Sequence, residues 1–337
     1  MTDYQIFEAG DVLLESGIVL NAVRVAFRTY GKLNSTRDNA IVFPTHYSGT
    51  HNNNSWAIGP RMALDPEKYF IIIPNMLCNG LSSSPSNTPP PHDGPRFPLV
   101  TVRDNVLLQH RLLTEVFGVS SVALVTGHSM GAQQAFQWGA LFPDMVQRVA
   151  PFCGSARTSR HNWLFLEGCK SALLADAAFA GGEYAAPPVA GIRAFARVYA
   201  GWAWSQTFFR QALDRETLGL PSMEAFLEQA WEPSFQAHDA NDLLAMLATW
   251  QAADVSRDPR FGGDFESALA SITAKAAVMP CRTDLYFPPE DSEIEVAHMP
   301  NAELRVIPSI WGHMAGGGIN PDDAKFIDAA LAELLAR

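Results

Sequence analysis

Residues 127–131 read Gly-His-Ser-Met-Gly, a Gly-x-Ser-x-Gly pattern that can lift a serine hydroxyl to the tip of a tight turn. The flanking residues supply the context such a turn needs. Val122 to Val125 is a short apolar run, β-branched at both ends, which predicts a buried strand. Met130, Ala135, Trp138 and Leu141 then recur at helical spacing. Strand, sharp turn and helix together predict a nucleophile elbow with Ser129 at its tip. The glycines let neighbouring backbone pass close to the serine. The helix N-terminus aims N–H groups at any oxyanion that forms there.

A serine nucleophile needs a base and an acid, and in an open parallel sheet these sit in loops after the carboxyl ends of strands. An apolar run over 276–281 is followed by Arg282-Thr283-Asp284, and another over 304–308 by Ser309-Ile310-Trp311-Gly312-His313. Ser129, Asp284 and His313 follow the chain order of an α/β-hydrolase triad. Among competitors, His128 is expected to point away from the serine tip. His298 falls on a predicted helix over 291–299, and His238 lies in a helical stretch. Asp254 and Asp258 have no strand before them. His46 and His51 share a loop, but no His-Glu-x-x-His occurs, so no metal site is expected. The Met130 N–H is the expected first oxyanion donor. Tyr47, in the loop after a strand over 40–44, is the expected second. Each such donor is typically worth about 3–4 kcal/mol of transition-state stabilisation.

These loops have to be carried by a sheet. Residues 11–30 alternate as in an antiparallel hairpin, and residues 69–74 and 146–152 read as further strands. Helices are predicted over 59–64, 101–117 and 322–335. A Gly/Ser/Pro-rich loop occupies 79–98. Strands alternating with helices predict an α/β fold with a mostly parallel central sheet flanked by helices. Residues 160–250 show helical stretches, including 190–209 and 223–231, but no convincing strand. The expected organisation is a core of residues 1–155 and 265–337, with 156–264 inserted as a helical lid.

The chain of 337 residues is 47% hydrophobic and carries a net charge of −11, the balance of an acidic globular protein. That charge argues against nucleic acid or an anionic membrane surface as partner. No signal-peptide pattern and no 18-residue apolar run is visible. Cys78, Cys153, Cys169 and Cys281 are dispersed, which predicts free thiols in a reducing cytoplasm, with Cys153 a buried structural thiol. No Gly-x-x-x-x-Gly-Lys phosphate cradle is present, and no cofactor is expected.

Further stretches carry a family likeness. They include Thr29-Tyr30-Gly31-Lys32-Leu33-Asn34, Arg37-Asp38-Asn39-Ala40, Ile58-Gly59-Pro60, Thr101-Val102-Arg103-Asp104, Asp284-Leu285 with Phe287-Pro288-Pro289, and Gly312-His313. With the elbow, these resemble the homoserine O-acetyltransferase family of α/β-hydrolase-fold acyltransferases over nearly the whole chain. The resemblance implies the same triad, a helical lid over the site and a homodimer formed through that lid. It also implies substrate-binding positions. Arg197 matches a carboxylate-binding arginine of the family, and Trp204 stands where the family has a tyrosine. Met314 replaces the aspartate that binds the homoserine amino group. A site lacking that anion would leave an amino-acid ammonium unpaired. The chain therefore looks like the esterases of this wider group. A serine-dependent carboxylester hydrolase for short-chain esters, working through an acyl-enzyme, is the expectation. The alternative is an O-acyltransferase moving an acyl group from acyl-CoA to a hydroxyl acceptor.

Overall fold

The structure, a computed structural model, describes residues 2–337. Its centre is an eight-stranded sheet in the order β1-β2-β4-β3-β5-β6-β7-β8. The strands β1 (Gln5–Leu13) and β2 (Val19–Tyr30) form the antiparallel hairpin that alternation predicts. From β4 (Phe70–Pro74) through β3 (Ala40–Val42), β5 (Val122–His128), β6 (Arg148–Phe152), β7 (Lys275–Val278) and β8 (Ala302–Leu304), neighbouring strands run parallel. Every residue of β4 and β5 is buried. A parallel strand covered by helices on both faces leaves no solvent side for polar residues, so it reads as a continuous apolar run.

Strand order reverses around β3, which has β4 on one side and β5 on the other. At such a switch point the loops leaving the carboxyl ends diverge and open a crevice. The loops after β3 and β5 carry Tyr47 and Ser129, so the topology brings them together.

Helix α1 (Val102–Arg111) starts at a capping box, in which the Thr101 hydroxyl accepts from Asp104 N–H and the Asp104 carboxylate accepts from Thr101 N–H. Helix α2 (Met130–Leu141) follows β5 and is buried at every position. Between β6 and β7 the chain forms helices joined by turns and loops, with a single Arg157–Asp254 bridge and no strand among the described residues. The helices include α3 (Arg160–Leu174), α4 (Val189–Ala203), shorter turns, and α5 (Ala240–Gln251). Helices α6 (Pro289–His298) and α7 (Pro321–Leu335) complete the fold. Among the described residues no helix is long and apolar enough to cross a membrane.

Three local expectations are corrected. Residues 59–64 form no helix; a helical turn occupies His51–Ala57 instead. The Asp65 carboxylate accepts from the N–H groups of Arg61 and Glu67, and such local bonds compete with a helix. The helix predicted over 190–209 stops at Ala203. Trp204 is extended, and the Ser205 hydroxyl caps a new turn by accepting from Phe208 N–H at 3.0 Å. Regular strand β8 ends at Leu304, where 304–308 had been expected to begin. Arg305 and Ile307 still donate to the carbonyls of Val278 and Pro280, both at 2.8 Å, so the chain remains parallel to β7 as far as His313's loop.

Candidate active site

Ser129 sits between the last residue of β5 and the first of α2, with φ 57° and ψ −123°. Its N–H donates to the Phe152 carbonyl at the end of β6, 3.1 Å away. The elbow closes only because its flanks lack side chains. A Cβ at Gly127 would lie 2.3 Å from Gly131 backbone, and one at Gly131 would lie 2.7 Å from the Pro44 carbonyl oxygen. The Ser129 Oγ is buried without a hydrogen-bond partner among the described residues. Catalytic hydrogen bonds of this kind commonly tighten only when substrate arrives.

Asp284 follows β7 and His313 follows the extension of β8, as their spacing implied. His313 Nδ1 lies 2.8 Å from Asp284 Oδ2. The other carboxylate oxygen accepts from the N–H groups of Tyr286 (2.8 Å) and Phe287 (3.2 Å). A carboxylate can only accept here, so Nδ1 carries the proton and Nε2 keeps its lone pair for a serine proton. The Thr283 hydroxyl joins the two loops, donating to the Ser309 carbonyl and accepting from Gly312 N–H, both at 3.1 Å. Tyr286 packs edge-on against the His313 ring, centroids 4.6 Å apart.

The Met130 N–H, at the first position of α2, has no intrahelical acceptor and is free for an oxyanion. Tyr47 lies across from it in the loop after β3. Its hydroxyl donates to the Leu243 carbonyl of α5 at 2.9 Å, and its ring stacks on Tyr199 at 5.6 Å. That loop is braced from beneath by a buried amide relay. Trp138 Nε1 donates to Gln109 Oε1, Gln109 Nε2 to Gln134 Oε1, and Gln134 Nε2 to the Thr45 carbonyl. Sequence reasoning missed this relay. Its only trace was the set of glutamines, Gln133, Gln134 and Gln137, on a helix buried at every position.

A cavity of about 590 Å³ opens over these groups. Core loops supply His46, Tyr47, His128, Ser129 and His313. Residues between β6 and β7 supply Trp204, Leu218, Phe226, Trp231 and Phe235. Met314 lines it too. No Asp, Glu, Lys or Arg lines the cavity among the described residues. Desolvation, with His313 nearby, pulls the His46 imidazole down to about 4, so it is neutral near pH 7.

Two expectations about this site are corrected. Arg197 does not line the cavity. Its guanidinium donates to Glu232 (2.6 Å) and Glu224 (2.9 Å), and Arg193 reaches the same Glu232 at 2.5 Å. Glu224, Glu228 and Glu232 recur every four residues, as Arg193 and Arg197 do, and the fold brings the two rows together. His128 does not turn away from the site; it lines the cavity and lies against the His313 ring.

The alpha/beta hydrolase fold family matches residues 46–316. The chain belongs to that family. Within it, the protein is 41% identical over 336 residues to an ethyl acetate hydrolase of Pseudomonas veronii, covering 99% of this chain and 95% of the relative. It is 32% identical to a homoserine O-acetyltransferase of Trichormus variabilis, covering 96% of this chain and 89% of that one. The solved structure of an acetylester hydrolase from Corynebacterium glutamicum superimposes with a TM-score of 0.96 at 40% identity, covering 99% and 96% of the two chains. This α/β-hydrolase thus resembles esterases and acyltransferases alike over nearly its whole length.

Proposed function

We propose that the protein is a serine-dependent carboxylester hydrolase acting on short-chain, uncharged esters. The observation that carries this reading is the uncharged, largely apolar lining of the cavity over Ser129. An amino-acid acceptor would bring an ammonium and a carboxylate into it with no counter-charge, and a polyphosphate acyl donor would fare no better. The full-length similarity to an ethyl acetate hydrolase supports the same reading.

The mechanism follows from the bonds already described. His313 Nε2 takes the Ser129 proton as Oγ bonds to the ester carbonyl carbon. The oxyanion is held by the N–H groups of Met130 and Tyr47. The imidazolium, oriented and stabilised by Asp284, then gives its proton to the departing alkoxide, which leaves as alcohol. Water, deprotonated by His313, attacks the acyl-enzyme; the acyl–Oγ bond breaks, the imidazolium returns its proton to Ser129 Oγ, and the acid is released. On this reading residues 156–264 serve as a lid that walls the acyl-enzyme from bulk solvent. Four free, buried cysteines support a reducing, cytoplasmic setting.

The test is turnover of p-nitrophenyl acetate and ethyl acetate. Ser129→Ala is expected to lower kcat by roughly a million-fold. An unaffected variant would sink the mechanism. Thiol release from acetyl-CoA that depends on added homoserine, with no ester turnover, would favour the acyltransferase instead.

A further inference from the structure

His128 takes no part in the proton transfers above, yet its ring is held on several sides. It is the last residue of β5 and directly precedes Ser129. Its ring lies against His313 with centroids 4.6 Å apart and planes 29° apart, and Phe152 stacks on it at 5.8 Å. His46 meets it edge-on at 5.2 Å. Its Nε2 is 3.2 Å from the His313 carbonyl oxygen. A carbonyl only accepts, so Nε2 carries the proton and donates. The chain beyond His313 is shaped to the same ring, because a Cβ at Gly316 would lie 2.2 Å from His128 Cδ2.

The remaining nitrogen, Nδ1, is buried without a partner among the described residues. An orphaned buried acceptor costs stability that a phenyl ring of similar shape would avoid. Packing therefore does not account for an imidazole here; the Nε2–H bond does. His313 needs such an anchor. It lies in the glycine-rich turn Gly312–Gly317, where the glycines bring no side chain of their own to hold the backbone in place.

We infer that His128 is a positioning residue that fixes His313 against Ser129, through the ring stack and the bond to the His313 carbonyl together. The inference rests on the reading of Ser129 as nucleophile and His313 as base. Nucleophile and clamp are adjacent residues, so the spacing of base and nucleophile is referred to a single peptide unit. A misplacement of about 1 Å at such a site costs on the order of 100-fold in rate.

The test compares His128→Gln, which keeps an amide donor but no ring, with His128→Phe, which keeps a ring but no donor. Gly316→Ala, which retains His128 and crowds its ring, serves if either variant fails to fold. Turnover of p-nitrophenyl acetate is normalised to the Ser129 titre from fluorophosphonate labelling. The low-field proton resonance of the His313–Asp284 bond is recorded alongside. Each variant is expected to lower kcat by about tenfold or more, leave KM within about twofold, and move that resonance. Turnover within about twofold of the parent in either His128 variant, or lowered turnover with an unmoved resonance, overturns the inference. If Ser129 of the parent protein takes no label, the esterase reading fails instead.

Discussion

Ser129 holds φ at 57° because the chain must reverse between β5 and α2 while its N–H reaches the Phe152 carbonyl. A residue with a Cβ is strained there, by about 1–3 kcal/mol. Ser129→Gly is therefore expected to raise the unfolding free energy by about 1 kcal/mol while abolishing ester turnover, readable by urea denaturation beside the activity assay. Arg197 makes the opposite case. Its guanidinium is occupied by lid carboxylates, so Arg197→Met should lower Tm yet leave kcat/KM for ethyl acetate within about twofold. A larger fall in kcat/KM would return Arg197 to substrate binding. At this scale, legibility followed backbone position. Ser129, Asp284 and His313 could be read because each directly follows a strand signal. The partners of Arg197 and the inward set of His128 depend on which surfaces of separate segments meet, and spacing along one segment does not contain that.

The elements meet through a few buried polar links. Helix α5 presents Asp242 to the proline-rich loop of residues 79–98, where both carboxylate oxygens accept from Ser86, at 2.9 Å from its N–H and 2.6 Å from its hydroxyl. Burial pushes the Asp242 carboxyl up to about 7, above the ordinary value near 3.9. The folded protein thus retains a proton that the unfolded chain releases first. Stability is full below about pH 4, is lost as pH rises towards 7, and carries a constant penalty of up to roughly 4 kcal/mol above that. Asp242→Asn removes the titration. The Tm of the variant relative to the parent is expected to climb from pH 4 to pH 7 and then level off; a pH-independent difference would contradict this. Strands β3 to β6 and helix α2 were legible because continuous apolar runs have few alternatives. The break at Trp204-Ser205 and the turn over residues 59–64 were not. Single side-chain caps override periodicity at those points.

Over the whole molecule, four of the five large apolar side chains that residues 156–264 expose belong to one pair of helices, Met223 being the fifth. Trp163, Leu164 and Leu174 of α3 and Val189 of α4 stand out in solvent, and α3 and α4 pack side by side. We propose that two copies pair through this face, as the family likeness implied. Light scattering should return the mass of two chains, and Leu164→Glu that of one; a single-chain mass for the parent protein would refute the pairing.

The route of the backbone into and out of these helices has a consequence of its own. The chain departs at β6, whose final carbonyl fixes the Ser129 N–H, and returns at β7, just before Asp284. Both ends of the excursion are therefore anchored in bond-making parts of the core, while Trp204, Leu218, Phe226, Trp231 and Phe235 all lie within it. On the proposed reading, reaction chemistry lies in the core and much of substrate choice in the inserted stretch, with core residues such as Tyr47 and Met314 lining the rest of the cavity. A relative's 156–264 segment, spliced between the same two strands, would transplant a substrate preference while Ser129, Asp284 and His313 keep their own strands, provided that it returns a carbonyl to the Tyr47 hydroxyl.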